Sequence, residues 1–146
     1  DWGHAKDYVQ MMWMILQAKE AEDWVIATGH TTSIRDFVIM CFNHIGIGLK
    51  FIGKGINEKG FVTSCSNTKY QIEIGTEVIA VDAKYFRPSE VDLLIGDPTK
   101  AKVKLGWQPK TTVNELAAEM MDSDLKLMAK ELFLKMNGYN TLNYFE

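Results

Sequence analysis

"DWVIATGHTTSIRDFVIMCFNHIGIGLKFIG", residues 23–53, decides how the fold is read. Residues 23–29 are a short, nearly continuous apolar run ending in Gly29, the pattern of a strand covered on both faces. Ser33 stands three residues before Asp36 in the manner of a capping box. Ile34, Phe37, Val38, Cys41 and Ile45 then recur at helical spacing until Gly46. A second apolar run follows at 49–53. Strand, helix and strand over residues 24–52 predict a right-handed βαβ unit, so the chain reads as α/β, with short strands and packed helices.

On the N-terminal side, Val9, Met12, Trp13 and Leu16 recur at helical spacing and predict a helix over 7–19, with Asp7 available as its cap. On the C-terminal side, residues 53–77 are rich in glycine, asparagine and serine and predict irregular structure around short hairpin strands, of which 61–65 is the clearest. Residues 77–82 read as another strand. Asp97 can cap a short helix with Pro98 at its first position and Gly106 as its left-handed C-cap, after which Trp107 can fold back. Thr112 and Glu115 form a second capping box. Val113, Leu116, Met120, Leu125, Met128 and Leu132 continue one apolar face to about Met136, and Gly138 punctuates the end.

A chain of 146 residues, 47% hydrophobic and 24% charged, suffices for one core and is too short for two ordinary domains. Sixteen basic residues stand against 19 acidic ones, for a net charge of −3, with no basic run of the kind that nucleic-acid binders carry. Cys41 and Cys65 are far apart and lack CxxC or Cys–His spacing, which reads as reduced thiols in cytoplasm and not as a zinc site or disulfide framework. No apolar run approaches the roughly 20 residues of a membrane-spanning helix. Asp1 leads into a helix within a few residues and without an initiator Met, so the sequence reads as a piece of a longer protein.

The segment "YFRPSEVDLLIGD", residues 85–97, holds one of only two arginines in the chain. Pro88 restricts Arg87 to extended backbone angles, and Phe86 beside it can anchor the segment in the core. A fixed guanidinium offers a planar fork of donors suited to phosphate oxygens, in a chain whose other basic residues are almost all lysine. Glu90, three residues on, could accept the two hydroxyl protons of a vicinal diol such as a ribose. The same spacing also suits a surface ion pair of Arg87 with Glu90 or Asp92, and Glu90 as a solvated acid.

His4, His30 and His44 have no HxxxH or HExxH spacing, and no serine sits in a GxSxG elbow, so the histidines read as capping or packing residues. The glycines of 46–60 do not form GxGxxG after a strand. Tyr8 lacks YxxxK spacing and reads as a helix-start residue, while the eight methionines read as filler of core or interface.

Five stretches together carry a resemblance that covers essentially the whole chain: "DWGHAKDYVQMMWMILQ" (1–17), "DWVIATG" (23–29), "SIRDFV" (33–38), "YFRPSEVDLLIGDPTKAKVKLGWQP" (85–109) and "FLKMNGY" (133–139). The sequence resembles the GDP-mannose 4,6-dehydratases, extended short-chain dehydrogenase/reductases. The resemblance implies an N-terminal Rossmann domain that binds NADP, absent from these residues, and a C-terminal GDP-sugar-binding portion spanning 1–146. It implies a lyase that converts GDP-mannose to GDP-4-keto-6-deoxymannose by oxidation at sugar carbon four, loss of water across carbons five and six, and return of the hydride to carbon six. Carried over by motif, Arg87 would contact the diphosphate, Glu90 the ribose, and Tyr85 would line the nucleotide pocket. The family's catalytic Thr, Glu and Tyr-xxx-Lys fall upstream, so no catalytic residue is expected here and the segment alone is expected to be inactive. The full-length enzymes are homo-oligomers. The competing expectation is a non-catalytic GDP-sugar-binding remnant or a structural interaction module.

Overall fold

A computed structural model describes residues 1–87, 89 and 93–141. In chain order the elements are α1 (Ala5–Leu16), α2 (Ile34–His44), β1 (Ile47–Ile52), a 3-10 turn (Gly55–Asn57), β2 (Lys59–Cys65), β3 (Glu77–Ala80), α3 (Thr99–Leu105) and α4 (Val113–Met136). The chain is mixed α/β, as its sequence pattern predicts, and Pro88, Glu90, Val91, Asp92 and residues 142–146 lie outside the description.

The sheet differs from expectation in its first strand. Among the described residues it has three strands in the order β1-β2-β3, both pairings antiparallel, and residues 23–29 form no strand. The parallel βαβ unit predicted over 24–52 is therefore not formed. Two local effects explain this. β1 finds β2 across a short connection through the 3-10 turn, with Ile52 opposite Lys59, and so short a loop closes at less entropic cost than a parallel crossover. At the far end of 23–29, the Asp1 carboxylate accepts the N–H groups of Thr28 and Gly29, both at 2.8 Å. Those donors are satisfied without a ladder. Trp24 and Ile26 turn toward the core, while on the other side Ala27 is buried and Val25 stays half exposed.

Two packed regions result. One gathers Met11 of α1, Ala101 of α3 and Trp107, all nearly inaccessible to solvent, with Tyr8, Met14, Ile15, Trp24, Ile26 and Leu105 against them. Trp107 reaches this cluster by the fold-back expected of it: Gly106 adopts φ +68°, a left-handed turn that a residue with a β-carbon rarely adopts, and closes α3. In the other region α2 packs on β1 and along α4, and Ile47 of β1 and Val62 of β2 are buried.

The capping predictions hold at two helices and shift at two. Thr112 accepts the N–H of Glu115 while Glu115 accepts that of Thr112, a complete capping box on α4. Ser33 Oγ accepts the N–H of Asp36 at 3.0 Å on α2. On α3 the helix opens at Thr99, one residue later than expected, yet Asp97 still accepts the Thr99 N–H at 2.9 Å. On α1 the cap is His4, whose Nδ1 accepts the Lys6 N–H at 3.0 Å, and Asp7 is buried instead.

α1 also faces the opposite way from its pattern. Met11 is 0% exposed, whereas Val9, Met12, Trp13 and Leu16, the stripe that predicts the helix, are 61%, 54%, 63% and 80% exposed. The buried side is chosen by Asp7 and Trp107: Asp7 accepts the N–H groups of Lys110 and Thr111, and the Trp107 indole N–H donates to the Asp7 carbonyl at 3.0 Å. In total the chain exposes 11113 Å². A compact monomer of its 16.6 kDa would expose only about 7,600 Å².

Candidate functional site

The segment that leads to Arg87 is shaped by Asp82, a residue that the motif reading passes over. Its Oδ1 accepts the Lys84 N–H at 2.8 Å, and its carbonyl accepts the N–H groups of Tyr85 and Phe86, each at 3.1 Å. Aspartate bonds its own chain two residues on because its side chain mimics a backbone carbonyl, and an aspartate just after a strand is the signal for such a turn. The turn follows β3 and ends beside the 3-10 turn, where a side chain at Gly55 would meet the Phe86 ring at 3.6 Å. Phe86, 39% exposed, thus anchors the segment on the surface of the 3-10 turn and not in the core.

Tyr85 and Arg87, two positions apart at the end of this turn, are both exposed. Tyr85 is 73% exposed, with the Lys84 ammonium 5.3 Å from its ring centroid. Two cations and an aromatic ring therefore occupy four consecutive positions. Such a set can meet a ligand that combines a planar ring with anionic oxygens: the ring through its face, the oxygens through the guanidinium and ammonium. Glu90, the third residue predicted for the site, lies outside the described residues, as do Pro88 and Asp92.

The other titratable residues serve the scaffold. His4 Nε2 meets Glu119 at 3.2 Å and His44 Nε2 meets Asp122 at 2.9 Å, so both hold α4. Burial and the neighbouring Asp7 charge push the Tyr8 hydroxyl up, so it keeps its proton at neutral pH. Burial, with Asp124 nearby, likewise raises the Cys41 thiol. Cys41 and Cys65 are both free, and no His, Cys, Asp or Glu cluster among the described residues could hold a metal. No helix of the described residues is long and apolar enough to cross a membrane.

A dinucleotide-binding fingerprint for NADP does not occur among the described residues. The NADP pyrophosphate would need a glycine-rich turn leading from a strand into a helix. Gly46 and Gly48 instead lie where α2 gives way to β1, and Gly53 and Gly55 lie where β1 gives way to the 3-10 turn.

Comparison with known proteins places the chain. The family profile of GDP-mannose 4,6 dehydratase matches residues 1–120. The chain belongs to the GDP-mannose 4,6-dehydratase family. It is 48% identical over 141 residues to GDP-mannose 4,6-dehydratase of Vibrio cholerae, an alignment that takes in 96% of this chain and 38% of that protein. It is 50% identical over 128 residues to the Homo sapiens enzyme, covering 88% of this chain and 32% of the relative, and 48% identical over 132 residues to that of Drosophila melanogaster, covering 89% and 31%. The chain thus spans about a third of the length of these dehydratases.

Proposed function

We propose that this chain provides the GDP-binding part of a GDP-mannose 4,6-dehydratase. The observation that supports this reading is the Asp82 turn, at whose end the exposed Lys84, Tyr85 and Arg87 fall within four positions of sequence, in a member of that family. Arg87 binds the diphosphate through paired N–H donors, Tyr85 lies along the nucleotide, and Glu90 accepts the ribose hydroxyls. Lys84 adds a second cation beside the phosphates. The whole enzyme acts as a lyase that turns GDP-mannose into GDP-4-keto-6-deoxymannose in the cytoplasm, as a homo-oligomer. NADP and the groups that move protons belong to polypeptide outside these 146 residues, and the segment alone is inactive.

The test is Arg87→Lys in the intact enzyme. Lysine keeps the charge and loses the fork, so GDP-mannose binding weakens by about 1.5 to 3 kcal/mol, the range for hydrogen bonds to charged groups, while NADP binding is little changed. Equal weakening of both ligands would indicate a folding defect and remove the support for a phosphate contact.

A further inference from the structure

We propose that residues 142–146 of this chain, Leu-Asn-Tyr-Phe-Glu, dock in an apolar groove along the C-terminal half of α4. The inference is independent of the GDP assignment.

The apolar face of α4 is covered in its first half and open in its second. Ala117 is buried, and Asp122 meets the His44 imidazole of α2 at 2.9 Å. Further along, Met128, Leu132, Phe133 and Met136 are exposed, and all of them line one groove of about 290 Å³ with Tyr70. The only charged residue of that lining is Lys69, whose ammonium lies 4.9 Å from the Tyr70 ring centroid. So apolar a surface is costly while it faces water and marks a place of contact. It also lies beyond residue 120, where the match to the family profile stops.

Size, position, reach and pattern together identify the occupant. One turn of helix, about 10 Å across and 5.4 Å long, fills roughly 400 Å³, so the groove suits side chains of an extended segment better than a second helix. Such a segment begins beside it. Met136 both ends α4 and lines the groove; Gly138 then takes φ +78°, and the Tyr139 N–H donates to the Leu134 carbonyl at 3.0 Å. This left-handed closure breaks the direction of the helix, and Thr141 is already half-buried. Residues 142–146 follow at once and lie outside the described residues. Leu125 and Met136, both in the lining, stand about 16 Å apart along the helix, and five extended residues reach about as far. In an extended chain alternate residues share a side. Leu142, Tyr144 and Glu146 therefore point together: two apolar side chains for the groove and a carboxylate for Lys69.

The experiment isotope-labels the methionine methyl groups of the 146-residue chain and reads their contacts by NMR. The expected result is nuclear Overhauser contacts from the Tyr144 ring to the Met128 and Met136 methyls, unchanged on dilution. Leu142→Asp, on the docking side, removes these contacts and shifts both methyl signals, whereas Asn143→Asp, on the opposite side, keeps them. The Met11 methyl, 0% exposed, keeps its signal in both variants and reports that the core is intact. Absence of the contacts in the unmodified chain, contacts found only between labelled and unlabelled molecules in a mixed sample, or equal effects of Leu142→Asp and Asn143→Asp would each overturn the proposal. The second of these outcomes would give the groove to a second copy of the chain.

Discussion

The Asp7 carboxylate accepts the Thr111 N–H at 2.9 Å, joining the first turn of α1 to the residue before the α4 cap across 104 positions of sequence. The same carboxylate oxygen takes the Lys110 N–H at 3.1 Å, and the Asp7 carbonyl takes the Trp107 indole. Asp7→Ala leaves two partly buried donors without an acceptor. Such groups cost about 1 to 3 kcal/mol each, so the variant should lose roughly 2 to 4 kcal/mol in urea unfolding. Asp7→Asn keeps an oxygen that can accept both N–H groups but loses the charge that strengthens those bonds, and should lose about half as much. A loss under about 0.5 kcal/mol for Asp7→Ala would show that this junction does not hold α1.

Acid should weaken the same junction. Burial alone would raise the Asp7 pKa, but the N–H donors of Thr111 and Lys110, aided by His4, outweigh it and hold the carboxyl below its ordinary range. A depressed folded-state pKa means that the native state binds a proton less readily than the unfolded chain. The contribution is therefore complete above the unfolded value, near pH 4, and is lost as pH falls through the depressed one. The melting temperature should drop on acidification below about pH 4, and the slope should be shallower in Asp7→Asn. Some slope remains there, because Glu22, Asp97, Glu115 and Glu119 are also lowered by their hydrogen-bond partners. Parallel profiles for wild type and Asp7→Asn would contradict the assignment.

Thr112→Ala removes the side chain that accepts the Glu115 N–H at the start of a 24-residue helix. Loss of such a cap costs about 0.5 to 2 kcal/mol. Thermal unfolding followed by circular dichroism should show that decrement, with hydrogen exchange fastest in the first turn of α4. Thr112→Ser should recover most of it.

Gly96→Ala forces a methyl group into the Ala27 β-carbon. Overpacking of this kind costs about 1 to 3 kcal/mol. Ala27→Gly in the same chain should restore much of the loss, a coupling that a double-mutant cycle reads directly. Additive losses would mean that segments 24–27 and 93–96 do not pack as described.

Helices were read from the sequence more securely than strands, for a physical reason. The α4 capping box, the Ser33 cap and the Gly106 turn with the Trp107 fold-back depend on neighbours within a few residues, and each is present. The 23–29 run depends on a partner far away in sequence, and its apolar composition could not say whether a ladder would be offered. α1 shows a subtler limit. Its stripe of Val9, Met12, Trp13 and Leu16 predicts the helix well, but the side it buries is set by Asp7, a charged residue whose long-range partners leave no periodic trace. At the candidate site, Arg87 is proposed from its chemistry and from the motif, and Tyr85 from the motif alone. Asp82, which shapes the segment, is legible only as an aspartate just after a strand, and Lys84 beside Tyr85 leaves no such signal.

Isothermal titration of GDP into the 146-residue chain tests the central claim most directly. The account predicts saturable binding at one site, weakened by about 10- to 150-fold in Arg87→Ala, the equivalent of about 1.5 to 3 kcal/mol. Absence of binding, or equal affinity in the two proteins, would contradict it.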